Sequence, residues 1–246
     1  MYLKQKIRPI FKMFIVTIIV ALFIYIINEM LQALPNYKTL IIESFWIFAD
    51  LVHVPQFVIP FIIILYITKG RPNHYGFNLR EDPPEFTHIR MLIIGIFSGL
   101  LMSIKYIIQI VKGLPLDVPQ PATPTNILGY ITFQWIVVGF SEETMFRGLI
   151  QTYFLEKLEG EIKIAGHIVH IGTVIAALFW GGFHVINILY MPLSTVISIV
   201  VITTPIGLLM GYAYQRTRSI LTTILVHNTL FGVPLTVGYI LQFVGY

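Results

Sequence analysis

The chain has 246 residues, of which 56% are hydrophobic and only 11% are Asp, Glu, Lys or Arg, with a net charge of +4. Because a soluble domain carries about a quarter of its residues as these four types, the composition excludes a soluble enzyme, a disordered chain and a nucleic-acid-binding domain. The lack of cysteine excludes disulfide scaffolds, thiol catalysis and cysteine-ligated metals. What remains is a polytopic membrane protein, an all-α bundle of transmembrane helices.

Apolar runs recur along the chain at the length of about 20 residues that a membrane-spanning helix needs. We predict seven spans, with six or eight as alternatives. Their approximate bounds are 13–28, 51–68, 91–111, 127–158, 168–188, 192–214 and 220–244. The second span begins as early as Leu40 if it bends at Pro55 or Pro60. The last span is either one long helix or two pieces broken near Gly232 and Pro234.

Lys and Arg are distributed unevenly over the predicted loops. Most of them fall on the same side as the N-terminus, whereas Lys38 and Lys112 fall on the opposite side. Because cytoplasmic loops of membrane proteins carry an excess of basic residues, we expect a cytoplasmic N-terminus and, for seven spans, a C-terminus outside. The sequence therefore predicts a multi-pass protein of the cell membrane.

Ionisable side chains inside a membrane span are costly and usually mark function. Three spans of the second half contain five of them: Glu142, Glu143, Arg147, His184 and His227. The first half has His53 and Lys105, to which we assign no role because helix contact or snorkelling explains each. The cluster in the second half is therefore the candidate site.

The segment GFSEETMFRG, residues 139–148, carries three of these charges on one predicted helix. Residues four apart share a helix face, so Glu143 and Arg147 are expected to pair. Glu142 lies about 100° around the helix and faces a different neighbour, which leaves its carboxylate available as a general base. The alternative is a buried ion-pair network that only holds helices together, and the two histidines also suit simple interhelical hydrogen bonds.

Other intramembrane chemistries fit these residues less well. The HExxH helix of zinc proteases is absent, and the aspartates fall outside the spans or at their edges, which argues against a catalytic aspartate pair. A rhomboid-type serine protease stays a weak alternative through Ser141 with His184, although Glu142 replaces the second glycine of its GxSG motif. A proton-coupled transporter remains open, since carriers also use buried carboxylates and histidines.

The segment EETMFRG resembles the first motif, EExxxR, of the CAAX prenyl protease and bacteriocin-processing (CPBP, or Abi) family. The family's second motif is FxxxH, which His184 matches with Trp180 in place of Phe. Its third motif is a later histidine, matched by His227. The Asn often found four residues further on is Phe231 here, and Asn228 lies about 100° away around the helix. The resemblance covers roughly residues 127–232.

This resemblance implies an intramembrane endopeptidase. Glu142 would be the general base that activates water, and His184 would hold or polarise that water. His227 would stabilise the oxyanion of the tetrahedral intermediate, with Glu143 and Arg147 as a supporting pair. The Asn that the family pattern would supply as a further oxyanion donor is Phe231 here. Two Glu and two His are potential zinc ligands, but we favour a reaction without a metal or other cofactor, because Glu143 is tied to Arg147.

The same resemblance divides one integrated membrane domain into two parts. Residues 127–246 are predicted to form the CPBP-like catalytic core, and residues 1–126 supply N-terminal spans of unassigned role. The implied partners are the lipid bilayer and a membrane-associated peptide or protein substrate, prenylated or not. Two other functions remain open: a non-catalytic immunity or binding protein on the same scaffold, and a proton-coupled transporter.

Overall fold

The computed structural model describes residues 2–118 and 121–246. Its regular structure consists of helices and one small β-hairpin, so the predicted all-helical fold is confirmed. The α-helices are α1 (Tyr2–Gln32), α2 (Tyr37–Ile67), α3 (His88–Met102), α4 (Ile104–Val111), α5 (Pro124–Thr132), α6 (Val138–Glu143), α7 (Thr152–Lys157), α8 (Ile171–Phe183), α9 (Leu193–Thr217) and α10 (Ile220–Phe243). Short 3₁₀ turns cover Pro72–Tyr75, Pro84–Phe86 and His184–Leu189.

Six helices within the described residues are long and apolar enough to cross a membrane. They cover Ile7–Gln32, Glu43–Ile67, His88–Val111, Ile171–Leu189, Leu193–Thr217 and Ile220–Phe243. The chain is therefore a multi-pass integral membrane protein. Each of the six coincides with a predicted span, while the orientation of the termini stays a prediction.

The remaining predicted span, 127–158, has a different construction. It is a helical run in which α5, α6 and α7 alternate with two π-helical turns, Phe133–Val137 and Thr144–Gln151. Each α-helix in this run is shorter than the membrane-spanning length. The run packs between α2 and α10, so it belongs to the interior of the bundle.

Two alternatives left open by the sequence are resolved. The last span is one helix, α10, which continues through Gly232 and Pro234. A proline is tolerated inside a membrane helix because neighbouring groups satisfy the backbone carbonyl that loses its hydrogen bond. In α2 the non-helical backbone lies at Ser44, with φ −150° and ψ 44°, whereas Pro55 and Pro60 are inside the helix. The bend in α2 therefore comes earlier than predicted.

The β-hairpin joins the helical run to α8 and is absent from the sequence-based expectation. Its strands are β1 (Glu161–Ile164) and β2 (His167–His170), paired antiparallel. Ala165 and Gly166 both adopt positive φ, 48° and 88°, as the two central residues of a tight hairpin turn require. The hairpin ends at His170, which caps the N-terminus of α8.

α10 is the central helix of the bundle. It packs along α3, where a Cβ on Gly99 would lie 2.7 Å from the carbonyl oxygen of Thr229 on α10. α8 and α9 approach each other in the same way, because Gly181 faces Thr204 and Gly207 faces the ring of Trp180. Such small residues let membrane helices pack closely, and this packing brings the polar faces of the helices together.

Candidate active site

The two adjacent glutamates lie at a change in helix type. Glu142 and Glu143 end α6, and the π-turn Thr144–Gln151 follows directly. All residues of this π-turn are buried. Single π-turns inside α-helices occur frequently at functional sites. Here the turn starts immediately after the carboxylates and contains Arg147.

Glu143 is the centre of a buried ionic cluster. Its Oε2 lies 3.3 Å from Arg147 Nε, which is the pair predicted from the spacing of four residues. Its Oε1 lies 3.0 Å from Nδ1 of His227 on α10. The three side chains are at most 3% exposed. The guanidinium also lies 5.1 Å from the ring centre of Trp180, so a cation–π contact adds to the pair.

Glu142 has different neighbours from those of Glu143. Its Oε2 accepts a hydrogen bond from the indole Nε1 of Trp180 at 2.6 Å and lies 3.9 Å from Nε2 of His227. Its Oε1 lies 3.6 Å from Nε2 of His53, on α2. Two imidazoles and an indole therefore surround this carboxylate, while the guanidinium is held at Glu143.

His184 lies where α8 gives way to a 3₁₀ turn. Its Nδ1 is 2.9 Å from the carbonyl oxygen of Trp180. Because a carbonyl oxygen only accepts hydrogen bonds, Nδ1 carries the proton and Nε2 of the neutral ring has the lone pair. The motif residue Trp180 thus touches both sides of the site: its indole binds Glu142 and its carbonyl fixes the ring of His184.

Two cavities meet at Glu142. The smaller, about 280 Å³, is lined by polar and apolar residues of the helical run, α8 and the turn after it, α9 and α10, among them Glu142, His184 and His227. The larger, about 360 Å³, lies against α2 and is lined by Glu142, His184, His53 and Gln56 among others. Glu142 and His184 belong to both walls. His227 contacts both glutamates, whereas Glu143 and Arg147 form the buried pair beside it.

His53 is the functional candidate that sequence reasoning left without a role. It lies on α2, outside the resemblance, and its only signal was an ionisable group inside an apolar span. Asp50, one turn earlier on α2, also lies inside a candidate span rather than at its edge. Asp82 and Asp117 lie outside the candidate spans, so a pair of membrane aspartates is still lacking in the described residues.

Asn228 does not take the place of the family's missing Asn. Its Nδ2 donates to the carbonyl oxygen of Trp135 at 2.8 Å, and its side chain packs against Gly139. The position four residues after His227 is Phe231, whose ring packs on the imidazole with centres 5.3 Å apart. An aromatic ring therefore occupies the place where an amide was expected.

The contacts of Ser141 do not support a serine protease site. Ser141 is buried and its hydroxyl donates to the carbonyl oxygen of Val138 at 2.9 Å, within its own helix. For metal binding, no group of three or more His, Asp or Glu side chains in residues 2–118 and 121–246 is placed to hold an ion. The site as built offers carboxylate and imidazole groups for acid–base chemistry.

Comparison with known proteins identifies the segment that carries the motifs. Residues 124–230 match the family described as Type II CAAX prenyl endopeptidase Rce1-like. The match begins at α5 and ends inside α10, so it includes both glutamates and both motif histidines but not His53. No curated protein and no solved structure matches the chain. This family implies an intramembrane protease acting on peptides or proteins. The chain therefore contains an Rce1-like type II CAAX prenyl endopeptidase (CPBP/Abi) family domain.

Proposed function

We propose that the protein is an intramembrane endopeptidase in which Glu142 activates water for attack on a peptide bond. The observation that carries this proposal is the contrast between two neighbouring carboxylates. Glu143 is engaged by Arg147 and His227, whereas Glu142 borders two cavities and faces imidazole groups. A general base must reach a reacting water, and Glu142 is the carboxylate with access to such a space.

The hydrogen bonds around Glu142 orient it for this task. Trp180 donates to Oε2, while Oε1 faces Nε2 of His53, which lines the larger cavity together with Glu142. The lone pair on Nε2 of His184 is available to the same space, because Nδ1 of that ring donates to the Trp180 carbonyl. His184 therefore offers a further hydrogen-bond acceptor to the space beside Glu142.

His227 suits the stabilisation of an oxyanion on one condition. Its Nδ1 donates to Glu143, since a carboxylate only accepts. Nε2 can then donate to a developing oxyanion only when the ring carries both protons and a positive charge. Glu143 balances Arg147 and holds Nδ1 in place, while the charge of the ring is balanced by Glu142, whose Oε2 lies 3.9 Å from Nε2. The cluster thereby orients a charged donor. Such preorganised donors are typically worth about 10²–10³ in rate.

In the proposed reaction, one proton moves from water to Glu142 and then to the leaving nitrogen. Glu142 takes one proton from water while the water oxygen bonds to the carbonyl carbon, and the carbonyl electron pair moves to its oxygen beside His227. When this intermediate collapses, the carbon–nitrogen bond breaks and Glu142 returns the proton to the leaving nitrogen. Glu142 thus acts first as base and then as acid, and no oxidant or other co-reactant is consumed.

The substrate is proposed to be a membrane-associated peptide or protein, prenylated or not. The site lies among the transmembrane helices, and the family's description names a CAAX prenyl endopeptidase. We place the protein in the cell membrane with its N-terminus in the cytoplasm, because most basic loop residues fall on that side.

The test compares the peptides of membranes that contain the wild-type protein with those that contain Glu142→Gln, using mass spectrometry. Gln keeps the shape of the side chain and an oxygen that accepts from Trp180, but it cannot take a proton. Peptides made by the wild type should fall by about 10²–10⁴-fold. The control is Glu156→Gln, whose carboxylate pairs with His74 away from the site, and it should keep the products.

Identical peptide profiles for the wild type and Glu142→Gln would overturn the proposal. A transporter would instead show flux driven by a pH gradient, lost in Glu142→Gln, with no new peptides.

A further inference from the structure

One contact joins the motif region to the N-terminal helices. His53, on α2, faces Glu142 with 3.6 Å between its Nε2 and Oε1. Its side chain is 14% exposed, and its ring packs edge-on against Phe133 with centres 5.0 Å apart. The imidazole is therefore held in position from α2, outside the segment that matches the family.

The other ring nitrogen of His53 restricts its neutral form to one tautomer. Nδ1 lies 2.8 Å from the carbonyl oxygen of Ala49, one turn earlier on α2. The carbonyl only accepts, so Nδ1 carries a proton, and Nε2 has a lone pair when the ring is neutral. Nε2 and the ionised Oε1 of Glu142 are then two acceptors that face each other.

The distance between Nε2 of His53 and Oε1 of Glu142 suits a bridging water. At 3.6 Å they are too far apart for a direct hydrogen bond. Polar atoms at such a separation are often bridged by water. A water about 2.8 Å from each atom would donate one hydrogen to Oε1 and the other to Nε2. Both His53 and Glu142 line the larger cavity.

We propose that His53, as the neutral ring, holds the attacking water of the site by accepting one of its hydrogens while Glu142 accepts the other. This inference deepens the proposed function and rests on it. With both hydrogens bound, the water's lone pairs point away from Glu142 and His53, where a peptide carbonyl can approach. Glu142 takes the proton when the oxygen–carbon bond forms, and it later passes that proton to the leaving nitrogen. His53 keeps its Nδ1 proton throughout and gains none.

The two cavities beside Glu142 contain different histidines, one of them from the N-terminal part of the chain. The smaller cavity contains His227, whereas the larger cavity contains His53. The water is thus held on the α2 side of Glu142, and the oxyanion donor lies on the α10 side. Residues 1–126 therefore contribute a residue that touches the reacting water, beyond any part they play in substrate access.

The first test is kinetic. An internally quenched peptide that spans the cleavage site found in the membrane experiment serves as the probe. His53→Phe keeps the packing on Phe133 but removes the acceptor, and we expect kcat to fall by about 10²-fold with KM close to the wild-type value. His53→Gln keeps an acceptor oxygen and should recover part of kcat. The control is His74→Phe, which removes an exposed histidine 2.8 Å from Glu156 and should leave kcat unchanged.

Unchanged kcat in His53→Phe, together with inactive Glu142→Gln, would overturn the role of His53 and leave the proposed function standing. Activity in both variants would overturn the proposed function itself. A loss of kcat accompanied by a lower melting temperature would count as structural damage, and the tautomer measurement below then decides the question.

The second test needs no activity. Nitrogen NMR of protein labelled with ¹⁵N-histidine distinguishes the two neutral tautomers from the charged ring, and the signal of His53 is the one lost in His53→Gln. We expect the neutral ring with its proton on Nδ1 at neutral pH. A charged ring, or a proton on Nε2, would overturn the proposal because Nε2 would then have no lone pair to offer.

Discussion

α1 and α10 are both apolar helices of membrane-spanning length, yet they occupy opposite positions. In its most apolar stretch, α10 has 72% of its residues buried, against 17% for α1, although α1 is the more apolar of the two. α10 carries His227, Asn228 and several threonines. Because lipid tails are as apolar as leucine, apolar side chains gain little by turning inwards, while polar groups must find partners inside. The central helix is therefore marked by its polar residues and not by a high mean hydropathy.

The largest expected effect concerns the ionic cluster that α10 completes. Arg147→Met leaves the carboxylate of Glu143 buried with one cation fewer, and removing one partner of a buried pair typically costs 3–5 kcal/mol, so we expect about that loss in the free energy of unfolding. Denaturant titration of the purified protein measures it.

The matched peripheral variant is Lys105→Met. Lys105 pairs with Asp117 at 3.2 Å, but these side chains are 47% and 75% exposed, so the loss should stay below about 1 kcal/mol. Similar losses for the two variants would break the distinction between centre and periphery.

The next effect concerns Trp180. Trp180→Phe restores the aromatic residue of the family pattern but removes the hydrogen bond to Glu142. Hydrogen bonds to charged groups contribute about 1.5–3 kcal/mol, so we expect kcat to fall roughly 10- to 100-fold. Trp46→Phe is the control, because Trp46 Nε1 is buried without a hydrogen-bond partner among the described residues. An unchanged kcat in Trp180→Phe would mean that the indole does not orient Glu142.

A third prediction tests the close contact between α3 and α10. A Cβ on Gly99 would lie 2.7 Å from the Thr229 carbonyl oxygen and 2.8 Å from Val233 Cβ. Since backbone cannot move aside easily, Gly99→Ala should destabilise the protein by about 1–3 kcal/mol.

The control is Gly182→Ala, where a Cβ meets nothing within 4 Å. Alanine favours a helix over glycine by up to about 1 kcal/mol, so this variant should unfold at the same or a higher temperature. A lower melting temperature for Gly182→Ala than for Gly99→Ala would contradict the packing described for α10.

The smallest effect lies at the edge of the bundle. His170 caps α8 by accepting a hydrogen bond from the Gly172 amide at 2.9 Å, which requires an unprotonated Nδ1. Burial lowers the pKa of His170, so the folded protein binds the proton at lower pH than the unfolded chain does. The cap's stabilisation is therefore complete above the ordinary imidazole pKa of about 6.5. It is lost as pH falls through the lower pKa of the folded state.

We expect a loss of about 1 kcal/mol, the typical contribution of a cap, seen as a lower melting temperature in acid. His170→Asn keeps an accepting side chain that does not titrate, so part of this pH dependence should disappear. An unaltered pH dependence would assign it to other groups.

Local spacing predicted only part of the site. The contact between Glu143 and Arg147 follows from their separation of four residues on one helix. The contact between His227 and Glu143 joins helices 84 residues apart in sequence, and no local pattern encodes it. Asn228 illustrates the same limit, because its neighbour in sequence is a site residue while its own side chain binds Trp135.

From the residues alone came the membrane class, six of the seven predicted spans, the EExxxR pair and the family to which the motifs belong. Hydropathy is sufficient for these, since the bilayer demands long apolar helices and a helix turn relates residues four apart. The three-dimensional packing was needed to find which helix is central, which side chains surround Glu142, and that α2 brings His53 to it. Helix rotation in a bilayer depends on the close fit of small residues such as Gly99 and Gly181. An apolar sequence does not reveal that rotation, because its faces are nearly alike.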